Sequence, residues 1–193
     1  MSDTLAQYQR ATDEFDALVS TLGDADWDRP STCTEWTVRD VMGHVIWGQR
    51  LTRGWATGHE YTGKGGAPGA PHPGRDELGG DDPLATWRVE RAACYASLTA
   101  ENLSRRVVSG AFGEIQVEWF VGLLVTDFLA HTFDIGHALG RDVRLAPDLV
   151  PGSFARMRER VFRAPGGIGP ELTPPEDADE QTRYLAFLGR KAW

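Results

Sequence analysis

Two histidines and one aspartate have residue types and spacing suited to binding a metal ion. Asp127 and His131 are four positions apart in a strongly apolar segment. On a helix they would lie one turn apart, with Cβ atoms about 5–6 Å from each other. His44 lies in a second segment, where its neighbours at helical spacing are mostly apolar. All three side chains are therefore predicted to point into the protein interior.

A carboxylate in an apolar interior needs a partner, because desolvation of the ion costs several kcal/mol. A divalent cation bound by His44, Asp127 and His131 would satisfy all three groups. Two imidazoles and one carboxylate leave coordination positions open, which is typical of catalytic rather than structural zinc sites. Zinc is the first expectation, and the same nitrogen and oxygen ligands also accept nickel or iron(II).

Simpler explanations exist for the same residues. An inward histidine is commonly a hydrogen-bonded core residue, and an Asp–His pair one turn apart also forms a buried ion pair without metal. Asp134 is predicted to accept a hydrogen bond from the His131 imidazole, a partner that metal-bound histidines commonly have. Asp40 is placed to serve His44 in the same way, although helix capping is the stronger prediction. The remaining histidines are left out of the site: His59, His72 and His137.

Helical spacing of apolar residues predicts the elements that carry these side chains. Four main helices are expected, over residues 4–22, 38–56, 83–99 and 117–139. The second helix would carry His44 and begin at the N-cap Thr37, with Asp40 in a capping-box position. The fourth, the most apolar, would carry Asp127 and His131.

Four helices of this length predict an all-α fold, a four-helix bundle with long crossovers and an extra C-terminal helical segment. Residues 57–81 are rich in glycine and proline and predict a long flexible loop. Residues 165–193 predict a tail that packs on the bundle. Smaller elements are also expected: a hairpin near Gly110 and Gly113, a helix over about 148–163, and a last helix within 181–193.

The composition limits the classes of function. A chain of 193 residues, 41% of them apolar, supports a single domain over residues 1–193. The net charge of −8 offers no basic surface for nucleic acid or an anionic membrane. No segment has the apolar length of a membrane span or the pattern of a signal peptide, and the two cysteines form no paired motif. The sequence therefore predicts a cytoplasmic monomer or homodimer with small-molecule partners.

Three segments resemble a known family. The stretches WDRPSTCTEWTVRDVMGHVIWG and TDFLAHTFDIGHALGRDVRLAPDLV are similar to the N-terminal domain of mycothiol-dependent maleylpyruvate isomerase and its actinobacterial relatives, within the DinB/YfiT-like superfamily. The tail YLAFLGRKAW resembles the C-terminal end of a short metal-binding subfamily of this group. The resemblance covers most of the chain outside residues 57–81, and it implies a DinB-like four-helix bundle.

The resemblance also implies roles for three residues. In the isomerase the metal is held by a histidine of the W-T-V-R-D segment and by an acid and a histidine four positions apart. These positions match His44, Asp127 and His131, with aspartate here in place of the isomerase's glutamate. The implied function is a metal-dependent thiol S-transferase or isomerase. It would activate mycothiol, or a similar low-molecular-weight thiol, for transfer to or isomerisation of a small electrophile.

Two other functions stay open. The first is a non-catalytic metal-binding or stress-response protein of the same fold. Its motivation is that too little chain follows residue 165 for the separate C-terminal domain of the isomerase. The second is a structural protein that binds no metal.

Overall fold

The elements of the chain are almost all helical. The computed structural model describes residues 3–33, 36–63, 78–161, 163 and 168–193. In chain order the elements are α1 (Asp3–Val19), a 3₁₀ turn (Asp24–Asp26), α2 (Val38–Thr57), α3 (Pro83–Ser97), α4 (Ala100–Ser104), β1 (Arg106–Ser109), β2 (Gly113–Gln116), α5 (Val117–Ala138), α6 (Val150–Glu159) and α7 (Glu180–Phe187). The predicted all-α class is confirmed.

Helix α2 begins as predicted, at a capping box. The Thr37 side chain accepts a hydrogen bond from the Asp40 amide at 3.2 Å, and the Asp40 carboxylate accepts one from the Thr37 amide at 2.9 Å. These bonds satisfy amide groups that have no partner within the first turn of a helix. The helix ends at Gly58, whose φ of 75° is a left-handed conformation that glycine adopts without strain.

Helix α5 is the centre of the bundle. Helix α1 packs along it, and α2 contacts both α5 and α3. The Phe128 ring lies 5.5 Å from the rings of both Phe15 and Trp87 and 6.0 Å from that of Tyr8, measured between centroids. All four aromatic side chains are fully buried. Because they come from three helices, this cluster holds α1, α3 and α5 in fixed relative positions.

A short hairpin connects α4 to α5. Strands β1 and β2 pair antiparallel, with Arg106 opposite Gln116 and Ser109 opposite Gly113. This matches the small hairpin predicted from the sequence. The hairpin lies directly before α5, so it leads the chain back into the bundle.

The C-terminal part of the chain packs against the bundle through α6. The Ser153 hydroxyl lies 2.5 Å from the Thr126 hydroxyl of α5 and 2.9 Å from the Tyr184 hydroxyl of α7. The Phe154 ring contacts those of Tyr184 and Phe187. Five consecutive residues at the C-terminal end of α7 are buried: Tyr184, Leu185, Ala186, Phe187 and Leu188.

Some boundaries differ from the prediction. Helix α1 ends at Val19 instead of residue 22, because the backbone changes there from i→i−4 to i→i−3 hydrogen bonds. The Thr21 amide donates to the Leu18 carbonyl at 3.1 Å. Helix α6 is shorter at both ends than predicted. Helix α4, capped by the Thr99 side chain, was not predicted, since five residues are too few for a periodic pattern.

The predicted flexible loop falls mostly on residues 64–77, which lie outside the described residues. Its described ends contact the bundle: Leu78 is buried, and the Gly63 carbonyl accepts a hydrogen bond from the Trp47 indole at 2.9 Å. Among the described residues, no helix has both the length and the apolar character that crossing a membrane requires.

Candidate metal centre

The three predicted ligands meet between α2 and α5. Asp127 Oδ1 lies 3.4 Å from His44 Nε2 and 3.4 Å from His131 Nε2. One ligand atom from each residue lies within 4.8 Å of the other two. The two imidazole rings have centroids 5.0 Å apart and planes at 73° to each other. The structure therefore brings all three side chains to one point.

The distances fit a ligand set better than a pair of hydrogen bonds. N–H···O bonds have donor–acceptor distances of about 2.7–3.2 Å, shorter than both contacts of Asp127. Two ligands about 2.0–2.1 Å from a tetrahedral zinc ion are about 3.4 Å apart. The observed separations match this value, so the residues present fit a divalent metal ion.

The cluster is buried but not sealed. The side chains of His44 and His131 are 9% and 7% exposed, whereas that of Asp127 is 28% exposed. Solvent thus reaches the cluster along its Asp127 edge. Such an opening is what a site with exchangeable coordination positions needs.

A second aspartate orients His131. Asp134 Oδ2 lies 2.9 Å from His131 Nδ1, the contact predicted from their spacing of three residues. We assign the proton of this hydrogen bond to Nδ1, because Asp134 as a carboxylate can only accept. This leaves Nε2, which faces Asp127, as the ring nitrogen that a metal ion could bind in place of its proton.

Asp134 is itself held from several sides. Its side chain is fully buried, and the Arg190 guanidinium pairs with both of its oxygens, at 3.1 and 2.9 Å. The Thr32 hydroxyl also donates to it, and the Cys33 thiol lies 3.3 Å from Oδ2. These partners satisfy the carboxylate in a region without water access.

Cys33, His131 and Asp134 form a second group whose ligand atoms lie within 4.8 Å of one another. The Arg190 guanidinium is bonded to Asp134 there and lies 4.0 Å from the Cys33 sulfur. A resident positive charge disfavours a second cation at this place. The set of His44, Asp127 and His131 is therefore the better candidate for a metal ion.

The electrostatics of the cluster favour positive charge next to Asp127. Burial raises the pKa of Asp127, but the adjacent imidazoles of His131 and His44 outweigh it and hold that pKa well below its usual value. Burial likewise lowers the pKa of His131, and Asp127 and Asp134 outweigh it and raise it well above its usual value. A cation bound here would replace the His131 proton as the positive charge beside Asp127.

Two tryptophans form one wall of the cluster. The ring of Trp36 lies 5.3 Å from that of His44, and the ring of Trp47 stacks on His44 at 5.8 Å, measured between centroids. Both indoles are half-buried. They cover the imidazole with apolar surface, and this excludes water from one side of the site.

Other candidate residues have structural roles. The Asp40 carboxylate caps α2. His137 is exposed and stacks on Phe133. His59 is exposed, with its Nδ1 3.0 Å from the Thr57 hydroxyl, and His72 lies outside the described residues.

Sequence reasoning missed Cys33 and Arg190. They lie 101 and 56 positions from Asp134 in the chain, and neither belongs to a spacing pattern. A short-range motif search therefore has no signal for them. The available hints are the resembling segments themselves, because WDRPSTCTEWTVRDVMGHVIWG contains Cys33 and YLAFLGRKAW contains Arg190.

The fold and the cluster define a helical bundle with a buried His/Asp/His group that is open on one side. The sequence model of the mycothiol maleylpyruvate isomerase N-terminal domain matches residues 8–136. The chain therefore belongs to this family. The matched range includes the three clustered residues and Asp134, and it ends before α6, α7 and Arg190.

Two relatives match nearly the whole chain, and two solved structures share its fold. Uncharacterized proteins MT0763 and Rv0738 of Mycobacterium tuberculosis are each 30% identical over 192 residues, covering 97% of this chain and 98% of theirs. Crystal structures of a mutant and of the unmutated mycothiol-dependent maleylpyruvate isomerase align with TM-scores of 0.56 and 0.53, at 14% and 16% identity. The alignments cover 79% and 69% of this chain and 67% and 60% of those chains, and they show that the fold is shared.

Proposed function

We propose that His44, Asp127 and His131 bind one divalent metal ion, with zinc as the first candidate. The convergence of the three side chains at ligand-to-ligand distances is the observation that carries this proposal. Nickel and iron(II) fit the same ligands, and the experiment below identifies the metal.

We further propose a metal-dependent enzyme that activates a low-molecular-weight thiol, such as mycothiol, for S-transfer to or isomerisation of a small electrophile. Membership of the mycothiol maleylpyruvate isomerase N-terminal domain family supports a thiol as co-substrate. When bound, the metal would supply a positive charge that favours the thiolate, the nucleophilic form of the co-substrate.

The protein's own residues would prepare this site. Asp134 holds the Nδ1 proton of His131, so that Nε2 keeps its lone pair for the metal. Asp127 supplies negative charge at the solvent-accessible edge, where the thiol would enter. Trp36 and Trp47 limit water beside His44, which strengthens electrostatic interactions in the site.

The proposed unit of function is a single domain over residues 1–193, in which the C-terminal tail is part of the bundle. The hydroxyl contacts between α5, α6 and α7 support this proposal. Small thiols and electrophiles are the proposed partners, because the acidic chain has no excess of basic residues for nucleic acid.

Elemental analysis of protein purified without chelators tests the metal site. We expect one metal ion per chain, and its loss in His44→Ala and His131→Ala. His137→Ala is the matched control, because His137 is an exposed histidine on the same helix as His131. Full metal content in His44→Ala would overturn the site assignment.

Thiol consumption in the presence of small electrophiles tests the enzyme. Turnover should require the metal and should be absent in His131→Ala. A protein with stoichiometric metal but no turnover over a panel of thiols and electrophiles would contradict the enzyme. That result would favour the non-catalytic metal-binding protein.

A further inference from the structure

Arg190 connects the C-terminal tail to the candidate metal centre. Its Nη2 lies 2.9 Å from Asp134 Oδ2, and its Nε lies 3.1 Å from Asp134 Oδ1. This is a bidentate ion pair with 12% exposure of the arginine side chain and none of the aspartate side chain. Paired geometry of this kind fixes the plane of a carboxylate as well as its position.

The chain after α7 is shaped to place this guanidinium. Gly189 has a φ of 80°, a left-handed conformation that turns the chain at the end of the helix. The Arg190 amide then bonds to the Leu185 carbonyl at 2.8 Å, and its Nη1 donates to the Leu188 carbonyl at 2.9 Å. Since Leu185 and Leu188 are buried, Arg190 reaches Asp134 only when the tail is docked on the bundle.

The same aspartate oxygen contacts both Arg190 and His131. Asp134 Oδ2 is 2.9 Å from Arg190 Nη2 and 2.9 Å from His131 Nδ1. Without the guanidinium, Asp134 would lose its bidentate partner and would be held less firmly, by single contacts with Thr32, Cys33 and His131. The imidazole bonded to it would then lose its fixed direction toward Asp127.

We propose that Arg190 is a positioning residue for the metal centre: it holds Asp134, which holds His131, and thereby couples docking of the C-terminal tail to metal affinity. This inference rests on the proposed metal site. Coupling is reciprocal, so metal binding must stabilise the docked tail to the same extent that docking strengthens metal binding.

Cobalt titration of the full chain, followed by the absorption of the bound ion, measures the first half of the coupling. Arg190→Met keeps the aliphatic stem and removes the charge, and Arg190→Lys keeps the charge without the paired geometry. We expect cobalt affinity to fall about 10–100-fold in Arg190→Met and by less in Arg190→Lys. Arg183→Met is the matched control, since Arg183 is an exposed arginine of α7 that bonds to the Glu176 carbonyl.

Hydrogen exchange of the α7 amides measures the second half. Cobalt should slow exchange at Tyr184–Leu188 in the wild type and in Arg183→Met, and much less in Arg190→Met. This readout separates positioning from general destabilisation, because it compares each variant with and without metal.

The outcomes distinguish the two proposals. Wild-type protein that binds no cobalt would overturn the metal site itself. Wild-type protein that binds cobalt, with a folded Arg190→Met that binds it equally well, would overturn the role of Arg190. If Arg190→Met does not fold, the test uses the wild type and Arg190→Lys. Unchanged cobalt affinity in Arg190→Lys, together with no protection of the α7 amides by cobalt in the wild type, would then overturn the role of Arg190.

Discussion

His44 Nε2 lies 3.4 Å from Asp127 Oδ1, although the two residues are 83 positions apart in the chain. This contact joins α2 to α5 at a place where both helices otherwise bury apolar side chains. A polar contact there is expensive unless it is satisfied, and the distance is too long for a good hydrogen bond. The separation equals that expected for two neighbouring ligands of a tetrahedral cation, which is the basis of the proposed metal site.

The charge of Asp127 should be essential for metal binding. Asp127→Asn keeps the size of the side chain and removes the anionic ligand, so we expect affinity for zinc or cobalt to fall by more than about 100-fold, beyond the loss typical of an outer-shell substitution. Asp127→Glu restores the carboxylate with a longer reach and should recover part of the binding. Equal affinity in the wild type and Asp127→Asn, by competition with a chelating dye, would contradict the assignment.

Cys33 should be dispensable for metal binding. The Arg190 guanidinium is bonded to Asp134 and lies 4.0 Å from the Cys33 sulfur. Its positive charge disfavours a metal ion bound by this thiol. Cys33→Ser should therefore retain the full metal content and cobalt affinity of the wild type. Loss of metal in Cys33→Ser, together with retention in His44→Ala, would show that the second group is the metal site.

Stability in acid should depend on Asp16. Its carboxylate accepts hydrogen bonds from the Trp87 indole at 3.1 Å and from Arg88 at 3.1 and 3.2 Å, which joins α1 to α3. Burial raises the pKa of Asp16, but Arg88 and Trp87 outweigh it and hold that pKa below its usual value. The contribution to stability is therefore present above about pH 4 and is lost as pH falls through the folded-state pKa.

Urea unfolding near neutral pH and at about pH 2–3 measures this effect. Asp16→Asn should destabilise the protein by about 1 kcal/mol at neutral pH, because the ion pair is partly exposed, and by less in acid. The exposed Asp24→Asn on the 3₁₀ turn is the control. A difference between Asp16→Asn and wild type that does not shrink in acid would contradict the prediction.

Phe128 should be the main aromatic contribution to stability. Its ring contacts those of Tyr8, Phe15 and Trp87, and all of them are fully buried. Phe128→Ala would leave a cavity at the junction of three helices and should cost about 3–5 kcal/mol in the free energy of unfolding. Val89→Ala, at a side chain that is 66% exposed, should change little. A loss below about 1 kcal/mol in Phe128→Ala would mean that the centre repacks.

The main helices could be predicted because their signals are local. The capping box of Thr37 and Asp40 and the apolar spacing of α5 are read within a few residues, and both were confirmed. Helix ends were less predictable. Side-chain bonds to nearby carbonyls, such as that of Thr21 to Leu18, compete with the last turn of a helix and have no periodic pattern.

The amino-acid sequence by itself predicted that His44, Asp127 and His131 lie in the largely buried helices α2 and α5, because their neighbours at helical spacing are apolar. It also predicted the contact of Asp134 with His131, since three positions on a helix are neighbours in space. Only the tertiary structure brought Cys33 and Arg190 to Asp134 and set the separations within the cluster. These contacts and separations depend on how α2, α5 and the tail pack against one another. The spacing of residues within one segment does not predict packing distances between segments that are far apart in the chain.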